Sequence, residues 1–338
     1  MPPVVRVIVL NWNGRRWLEP CLDALRRQTC RQFEFVVVDN GSTDGSVELV
    51  RDRFPECQVV ALADNVGFAA ANNAGAAGAA AKYLVFLNND TEADSGWLGA
   101  LMDAAERDPT IGLVSSHLLF MAPAGVVDSA GDGYLRCGGG FKHQHGQPAG
   151  EARGVREVFG ACGAAFLIRR DLFERIGGFD PDFFMVYEDV DLSYRARLVG
   201  ARAVCALDAV VRHAGSASLG RVSSAAVFYG QRNLEWTWIK NSPRRLLLRS
   251  LAAHVLYDLA GLAGYARAGQ LGAWVRAKAA AAMGLGPVWR KRRIVQRTAT
   301  VDPEALWTLM EPDWMSVKRR EKRFAFRRDA DARPVRVE

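Results

Sequence analysis

The chain lacks a C-x-x-C pair, a G-x-G-x-x-G after its first strand pattern, and any G-x-x-x-x-G-K-[ST] segment. The first absence removes the common cysteine-ligated metal and redox motifs. The other two disfavour a dinucleotide cofactor and an ordinary ATP-binding loop. Cysteine is scarce: Cys21, Cys30, Cys57, Cys137, Cys162 and Cys205 are the six among 338 residues. A disulfide framework is not expected from so few; reduced thiols in a cytosolic enzyme are. No run of 18 uncharged apolar residues occurs, so no membrane-spanning helix is expected. Met1 to Val5 passes straight into a strand pattern, without the charged and apolar stretches of a secretory signal. Internal repeats and long low-complexity linkers are also missing.

What is present is a foldable composition. Hydrophobic residues at 49% and charged residues at 24% exclude a mainly disordered chain. The length suggests roughly two domains. The formal net charge of +7 is unevenly divided: residues 1–230 carry −5 and residues 231–338 carry +12. An acidic body with a basic tail points to an anionic surface as a partner of the C-terminal end. Nucleic acid is disfavoured, because the body is net negative and the tail has no recognisable binding module.

Up to about residue 115, short apolar runs alternate with helical patterns. Strands are expected over Val4–Leu10, Phe33–Val38, Gln58–Leu62 and Tyr83–Leu87. Helices are expected over Arg16–Gln28, Asp44–Phe54, Phe68–Ala81 and Trp97–Arg107. That rhythm implies a mostly parallel α/β sheet with helices on both faces. Beyond it, strands are expected over Val114–Met121 and Gly133–Phe141, and a small apolar stretch over Val158–Ile168. Helices are expected over Arg170–Ile176 and Asp189–Val199, and a last strand from Arg202 to near His213. Residues 214–230 read as irregular, and the rest as helical and basic. The expected division is a catalytic domain over 1–230, its halves meeting near 115, and a helical region over 231–338.

Four polar clusters follow strand patterns, where an open α/β sheet places its ligand. They are Leu10-Asn11-Trp12-Asn13-Gly14; Asp39-Asn40-Gly41-Ser42-Thr43-Asp44-Gly45; Asn65-Val66-Gly67 with Asn72-Asn73; and Asn88-Asn89-Asp90. Any one alone is equally a tight turn with a helix cap. Four on successive strand ends suggest a nucleotide, with Asp39 accepting hydrogen bonds from base or ribose. The diphosphate then needs a cation, and Asp90 is the natural carboxylate for Mg²⁺ or Mn²⁺. Glu188, Asp189 and Asp191 lead into a helix. They either cap it or include a general base. His213, alone at a strand end, is either structural or a metal ligand.

In this order, Asn11-x-Asn13-Gly14, Asp39-Asn-Gly-Ser-Thr-Asp-Gly, Asn65-x-Gly67-Phe68, Asn88-Asn89-Asp90, Glu188-Asp189 and His213 resemble the family 2 inverting glycosyltransferases of GT-A fold. The rhamnosyltransferase-like branch is the most similar. The resemblance covers about residues 4–240. It implies a nucleotide-diphosphate sugar donor, with dTDP-rhamnose the first to consider, and a divalent metal. It also implies that Asp39 contacts the base and Asn11 lines the nucleotide pocket. Asn89 and Asp90 then correspond to the acidic metal motif, and Asp189 to the catalytic base. Asparagines at Asn88 and Asn89 leave Asp90 as that motif's single charged ligand. Leu10, Asn13, Asn65, Gly67, Asn72 and Asn88 complete the expected donor site. Glu188 and Asp191 are expected to orient or cap. Residues 214–230 suit a lid, with Arg221 as a diphosphate contact, or a plain exposed loop. Tyr229, Arg232 and Asn233 match a group often found in the family.

In the tail, Leu248, Leu251, Val255, Leu259 and Leu262 share one helical stripe. The stripe either packs on the body or a second subunit, or lies in a membrane interface. Trp274, Arg276, Lys278, Trp289 and Arg290-Lys291-Arg292-Arg293 favour anionic headgroups. The expected enzyme is cytoplasmic and peripheral at the inner membrane face. It glycosylates a glycan or polyprenyl-linked acceptor in bacterial cell-envelope polysaccharide synthesis. Two other readings stay open: a sugar-1-phosphate nucleotidyltransferase, and a non-catalytic glycan- or lipid-binding protein.

Overall fold

The computed structural model describes residues 3–151, 153–215 and 223–331. The first half runs β1 (Val5–Asn11), α1 (Arg15–Arg26), β2 (Phe33–Asn40), α2 (Ser46–Arg53), β3 (Gln58–Leu62), α3 (Gly67–Ala76), β4 (Tyr83–Asn88), β5 (Thr91–Ala93) and α4 (Trp97–Glu106). The second half runs β6 (Ile111–Phe120), β7 (Val127–Ser129), β8 (Asp132–Tyr134), β9 (Gly140–Lys142), β10 (Val155–Val158), β11 (Ala165–Arg169), α5 (Arg170–Arg175), α6 (Glu188–Leu198) and β12 (Arg202–His213). Six helices follow: α7 (Ser224–Asn241), α8 (Arg244–Arg267), α9 (Leu271–Met283), α10 (Leu285–Thr298), α11 (Pro303–Leu309) and α12 (Trp314–Asp331).

The main sheet has the order β10-β12-β6-β11-β4-β1-β2-β3. Strands β4, β1, β2 and β3 are parallel neighbours, as are β12 and β6. Strand β11 joins the two parallel groups by antiparallel pairing with β4 and β6. In β1, Val5, Val7 and Val9 enter the core on one face, and Ile8 enters the core on the other. A central parallel strand buried on both faces is the physical reason for its near-continuous apolar run.

The register matters for function. Asn11 pairs with Asp39, and Leu10 pairs with both Val38 and Asn88. The carboxyl ends of β1, β2 and β4 therefore finish side by side, and the polar residues after each strand form one row.

Some expected elements differ. Helix α3 stops at Ala76 and not Ala81, because Ala77 is extended and Gly78 takes a left-handed φ of 67°. The stretch Gly133–Phe141 is no single strand but the ends of a hairpin, β8 and β9, with Asp132 opposite Lys142. The segment 214–230 is helical from Ser224, where Ser223 caps α7 by accepting the Ala226 N–H. Residue 230 falls inside α7. Residues 216–222 of the expected lid, Arg221 among them, lie outside the described residues.

The C-terminal helices are fastened to the sheet domain by buried charge. Lys240 of α7 lies 2.6 Å from Asp180 and 2.7 Å from Asp191. Asp191 also holds Arg195 at 2.8 Å and accepts a hydrogen bond from Asn241. Asp191 is thus an ion-pair anchor between α6 and α7, not a helix cap.

Candidate active site

A row of amides and carboxylates lines the strand ends. Asn11 donates to Asp39 Oδ2 at 2.9 Å and accepts from Asn89 Nδ2 at 2.6 Å. Asp39 Oδ1 accepts the Ser42 N–H at 2.9 Å. Asn13, with φ 48°, caps the Thr43 N–H, and its own N–H donates to Ser42 Oγ. Three loops from separate strands are thereby locked into one surface. Gly14 is required there, because a Cβ would stand 1.9 Å from Asn89 Nδ2.

Asn65 accepts from Asn40 and from the Gly67 N–H, so it shapes the loop ahead of α3. Asn72 is buried, donates to the Phe68 carbonyl and leaves Oδ1 without a partner. Leu10 is a half-buried core residue beside this row. The half-buried Asn88 carbonyl accepts from the Thr91 hydroxyl.

Asp90 and His213 come together, although 123 positions separate them in sequence. Asp90 Oδ1 is 3.4 Å from His213 Nε2, and His213 Nδ1 is 2.8 Å from Asp128 Oδ2. Burial opposes the imidazolium, but the two carboxylates overcome it and lift the histidine to about 9. A divalent cation here would take the place of the proton on Nε2, which the same two carboxylates attract. Asp128 fixes the imidazole by accepting from Nδ1, leaving Nε2 to face the Asp90 carboxylate. An oxygen and a nitrogen donor then converge from β12 and the β4–β5 turn.

Asp128 was not singled out from the sequence, and nor were Lys142 and Asp132. Lys142 Nζ bonds both Asp128 oxygens, at 2.9 and 3.0 Å. Asp132 stands opposite Lys142 on the hairpin. Its carboxylate, the Cys162 thiol and the Asp189 carboxylate each place an atom within 4.8 Å of the others. That trio is a poor cation site. Burial pushes the Cys162 thiol well up, so it stays protonated, and Lys142 acts electrostatically on all three residues.

Asp189 is instead held by two backbone donors. Its Oδ2 accepts the Gly163 N–H at 2.8 Å, and its Oδ1 accepts the Val190 N–H at 2.8 Å. Burial raises its pKa despite those bonds. Asp132 is raised to about 8 by burial and then by Asp189. The two carboxyls titrate as a pair. Glu188 is buried, with Oε2 unpartnered, and burial together with Asp189 raises its pKa strongly.

The backbone ahead of Asp189 is unusual. Phe184, Val186 and Tyr187 have φ of 62°, 65° and 77°. Left-handed geometry is costly for bulky or β-branched residues and persists only when neighbours enforce it. Asn233 enforces it. Its buried amide nitrogen lies 2.9, 2.9 and 2.7 Å from the carbonyls of Phe183, Met185 and Val186. Arg232 adds bonds to the Asp182 and Phe183 carbonyls, and Tyr229 stacks on Phe184. On the far side, the Phe184 carbonyl accepts from Phe68 at the start of α3. Gly67 is needed at that contact, with φ 85° and Phe184 2.5 Å from any Cβ. The segment therefore couples α3 to Asp189. Asn233→Ala should cost about 1–3 kcal/mol of stability through unsatisfied carbonyls. It should also lower kcat; an unchanged melting temperature and kcat would refute this clamp.

The sequence model described as Glycosyl transferase family 2 matches residues 6–177. The O-antigen biosynthesis protein RfbC of Myxococcus xanthus is 32% identical over 64% of this chain, which spans 18% of that relative. The N-acetylglucosaminyl-diphospho-decaprenol L-rhamnosyltransferase of Mycobacterium tuberculosis is 28% identical over 76% of this chain and 94% of its own length. Among solved structures, the mannosyltransferase PcManGT of Pyrobaculum calidifontis, in complex with GDP-Man and Mn²⁺, matches with a TM-score of 0.52 and 23% identity. It covers 90% of this chain and 87% of its own. GalNAc-T7 with UDP, GalNAc and Mn²⁺ matches with a TM-score of 0.57 and 18% identity, over 69% of this chain and 48% of its own. The fold is GT-A. With half of its length matched by the family model, the chain belongs to glycosyl transferase family 2 and is a glycosyltransferase.

Proposed function

We propose that this glycosyltransferase moves a sugar, with inversion, from a nucleotide-diphosphate donor to a diphosphate-lipid-linked acceptor in cell-envelope polysaccharide synthesis. The observation that carries the reading is that Lys142 links two groups. It bonds Asp128 of the Asp90–His213–Asp128 chain, and it acts electrostatically on Asp189. Asp39 and Asn11 bind the nucleoside, and Asn89 holds Asn11 in place. A divalent cation held by Asp90 and His213 would supply charge neutralisation for the leaving diphosphate. Asp189 takes the proton from the acceptor hydroxyl, which attacks the anomeric carbon from the face opposite the leaving group. One displacement inverts the centre, so no covalent nucleophile is required. Rhamnose is the first sugar to test, because the M. tuberculosis relative is named for its transfer.

The experiment is a panel of nucleotide sugars with Mn²⁺, read first by thermal stabilisation and then by transfer. One donor should stabilise the protein and release nucleoside diphosphate, giving a product of inverted configuration. Release of pyrophosphate would favour a nucleotidyltransferase, and tight donor binding without turnover a binding protein.

We also place the enzyme at an anionic membrane surface, through α8. This 24-residue helix is long and apolar enough to cross a bilayer by length and composition. Its polar side chains, however, are engaged by the protein: His254 with Glu235, Asp258 with Lys278 and Arg249 with Glu304. Apart from the half-buried Leu262, the leucine stripe does not pack on the body. Leu248, Leu251, Val255 and Leu259 are 63%, 47%, 48% and 55% exposed. An exposed apolar face in a region of net charge +12 suits a helix lying in the interface of anionic lipid. Replacing Leu248, Leu251 and Leu259 by serine should weaken sedimentation with phosphatidylglycerol vesicles several-fold. Unchanged sedimentation would return the face to contact with a second subunit.

A further inference from the structure

A cavity of about 240 Å³ opens beside the hairpin, outside the residues assigned to donor or base. It is lined by Lys142 and His143 at the end of β9, His145, Arg156 of the edge strand β10, and Arg320 and Glu321 of α12. Its charge is one-sided. Among the described residues, neither Arg156 nor Arg320 has an ion-pair or hydrogen-bond partner. Both act on His143, which burial and these two guanidiniums push down to about 4. The nearby carboxylates are already committed. Glu321 is paired with Lys318 at 2.8 Å. Asp128 is taken by Lys142, His145 and His213.

Two unpaired guanidiniums facing a neutral imidazole across a concave surface form an anion site. Pockets for drug-sized ligands span roughly 300–1,000 Å³, so this one suits a compact charged group and not a whole sugar nucleotide. Its position gives the group a role. Lys142 lines the cavity and bonds Asp128, while Asp132 opposite it stands beside Asp189. The cavity and Asp189 thus share Lys142 as a neighbour.

We propose that this cavity binds the diphosphate of a diphosphate-linked sugar acceptor, with Arg156 and Arg320 as its cationic walls and His143 as a hydrogen-bonding partner. The inference rests on the glycosyltransferase reading above. It makes Arg156 and Arg320 selectivity determinants for the acceptor, separate from the cation that serves the donor.

The test compares wild type with the Arg156→Ala/Arg320→Ala double variant; both side chains are exposed, and neither contributes to the core. Two acceptors carry the same sugar, one on a short prenyl diphosphate and one on a neutral alkyl group. The ratio of the diphosphate acceptor's KM to the neutral acceptor's KM should rise roughly tenfold or more in the variant, because charge-assisted bonds are lost from one substrate only. Inorganic pyrophosphate, with Mn²⁺ in excess, should compete with the diphosphate acceptor in wild type and lose that competition in the variant. An unchanged ratio overturns the proposal. Loss of pyrophosphate binding with an unchanged ratio assigns the cavity to free phosphate and also overturns the acceptor role. If wild type transfers to neither acceptor, the proposed lipid-linked acceptor class fails first. Calorimetric pyrophosphate binding, compared between wild type and variant, then still decides whether the cavity is an anion site.

Discussion

Replacing Asp189 by asparagine should lower kcat by about 10²–10⁴-fold, the range for a removed general base. Donor affinity and melting temperature should change little. Asparagine has the same shape, and its carbonyl oxygen can still accept the Gly163 N–H, so only the bond from the adjacent Val190 N–H is lost. What disappears is the capacity to take a proton. Glu188 cannot substitute, since its burial keeps that carboxyl raised even without the Asp189 charge. The pH dependence has a defined sign. Asp189 works as the anion, and burial raises its pKa above the ordinary carboxylate range. Activity should therefore be lost as pH falls, along an acid limb lying above that of an exposed aspartate. Asp132, raised to about 8, makes the limb a property of the pair. A folded Asp189→Asn protein that transfers at the wild-type rate would remove Asp189 from the mechanism. So would a limb at the ordinary aspartate position.

The donor half was legible in the sequence because its chemistry is local. Each polar cluster directly follows its own strand, and parallel pairing of β1, β2 and β4 brings the clusters together without any further information. The acceptor side was less legible. Asp128, Asp132 and Lys142 lie in very short strands, too brief for periodicity to register. Only the pairing of Asp132 with Lys142, and the return of β12 beside β6, gathers them around His213. The one available signal was a pair of aspartates flanking the short segment Ser129-Ala130-Gly131. The stripe on α8 shows a different limit. Periodicity identified the side chains sharing a face, but not which face meets the body. The packed face is chosen by Leu246, Ser250 and His254, the last stacked on Trp238 at 3.7 Å. Similarly, nothing in a Val-Tyr dipeptide announces left-handed backbone. That conformation is imposed from α7 by Asn233, 47 positions away from Val186.

Chelation should abolish transfer, and Mg²⁺ or Mn²⁺ should restore it. Asn88 and Asn89 are neutral, so Asp90 is the lone carboxylate of Asn88-Asn89-Asp90 and His213 the donor facing it. Asp90→Ala removes the charged ligand and leaves His213 held only from the Asp128 side. This variant should lose nearly all activity at low metal and regain little at high metal. Asp128→Asn should be milder. It keeps both cation donors but weakens the bond to Nδ1 and the ion pair that Asp128 makes with Lys142; losing a ligand's supporting bond typically costs about 10–100-fold in metal affinity or activity. Its activity should therefore recover as Mn²⁺ is raised. The order of the two variants separates a metal role from a structural one. If Asp90 and Asp128 merely stabilise the end of β12, both variants should lower the melting temperature, and added Mn²⁺ should rescue neither. Titrating Mn²⁺ against activity and against thermal stability in each variant tells the cases apart, and full activity of the wild-type protein in excess EDTA would exclude the cation outright.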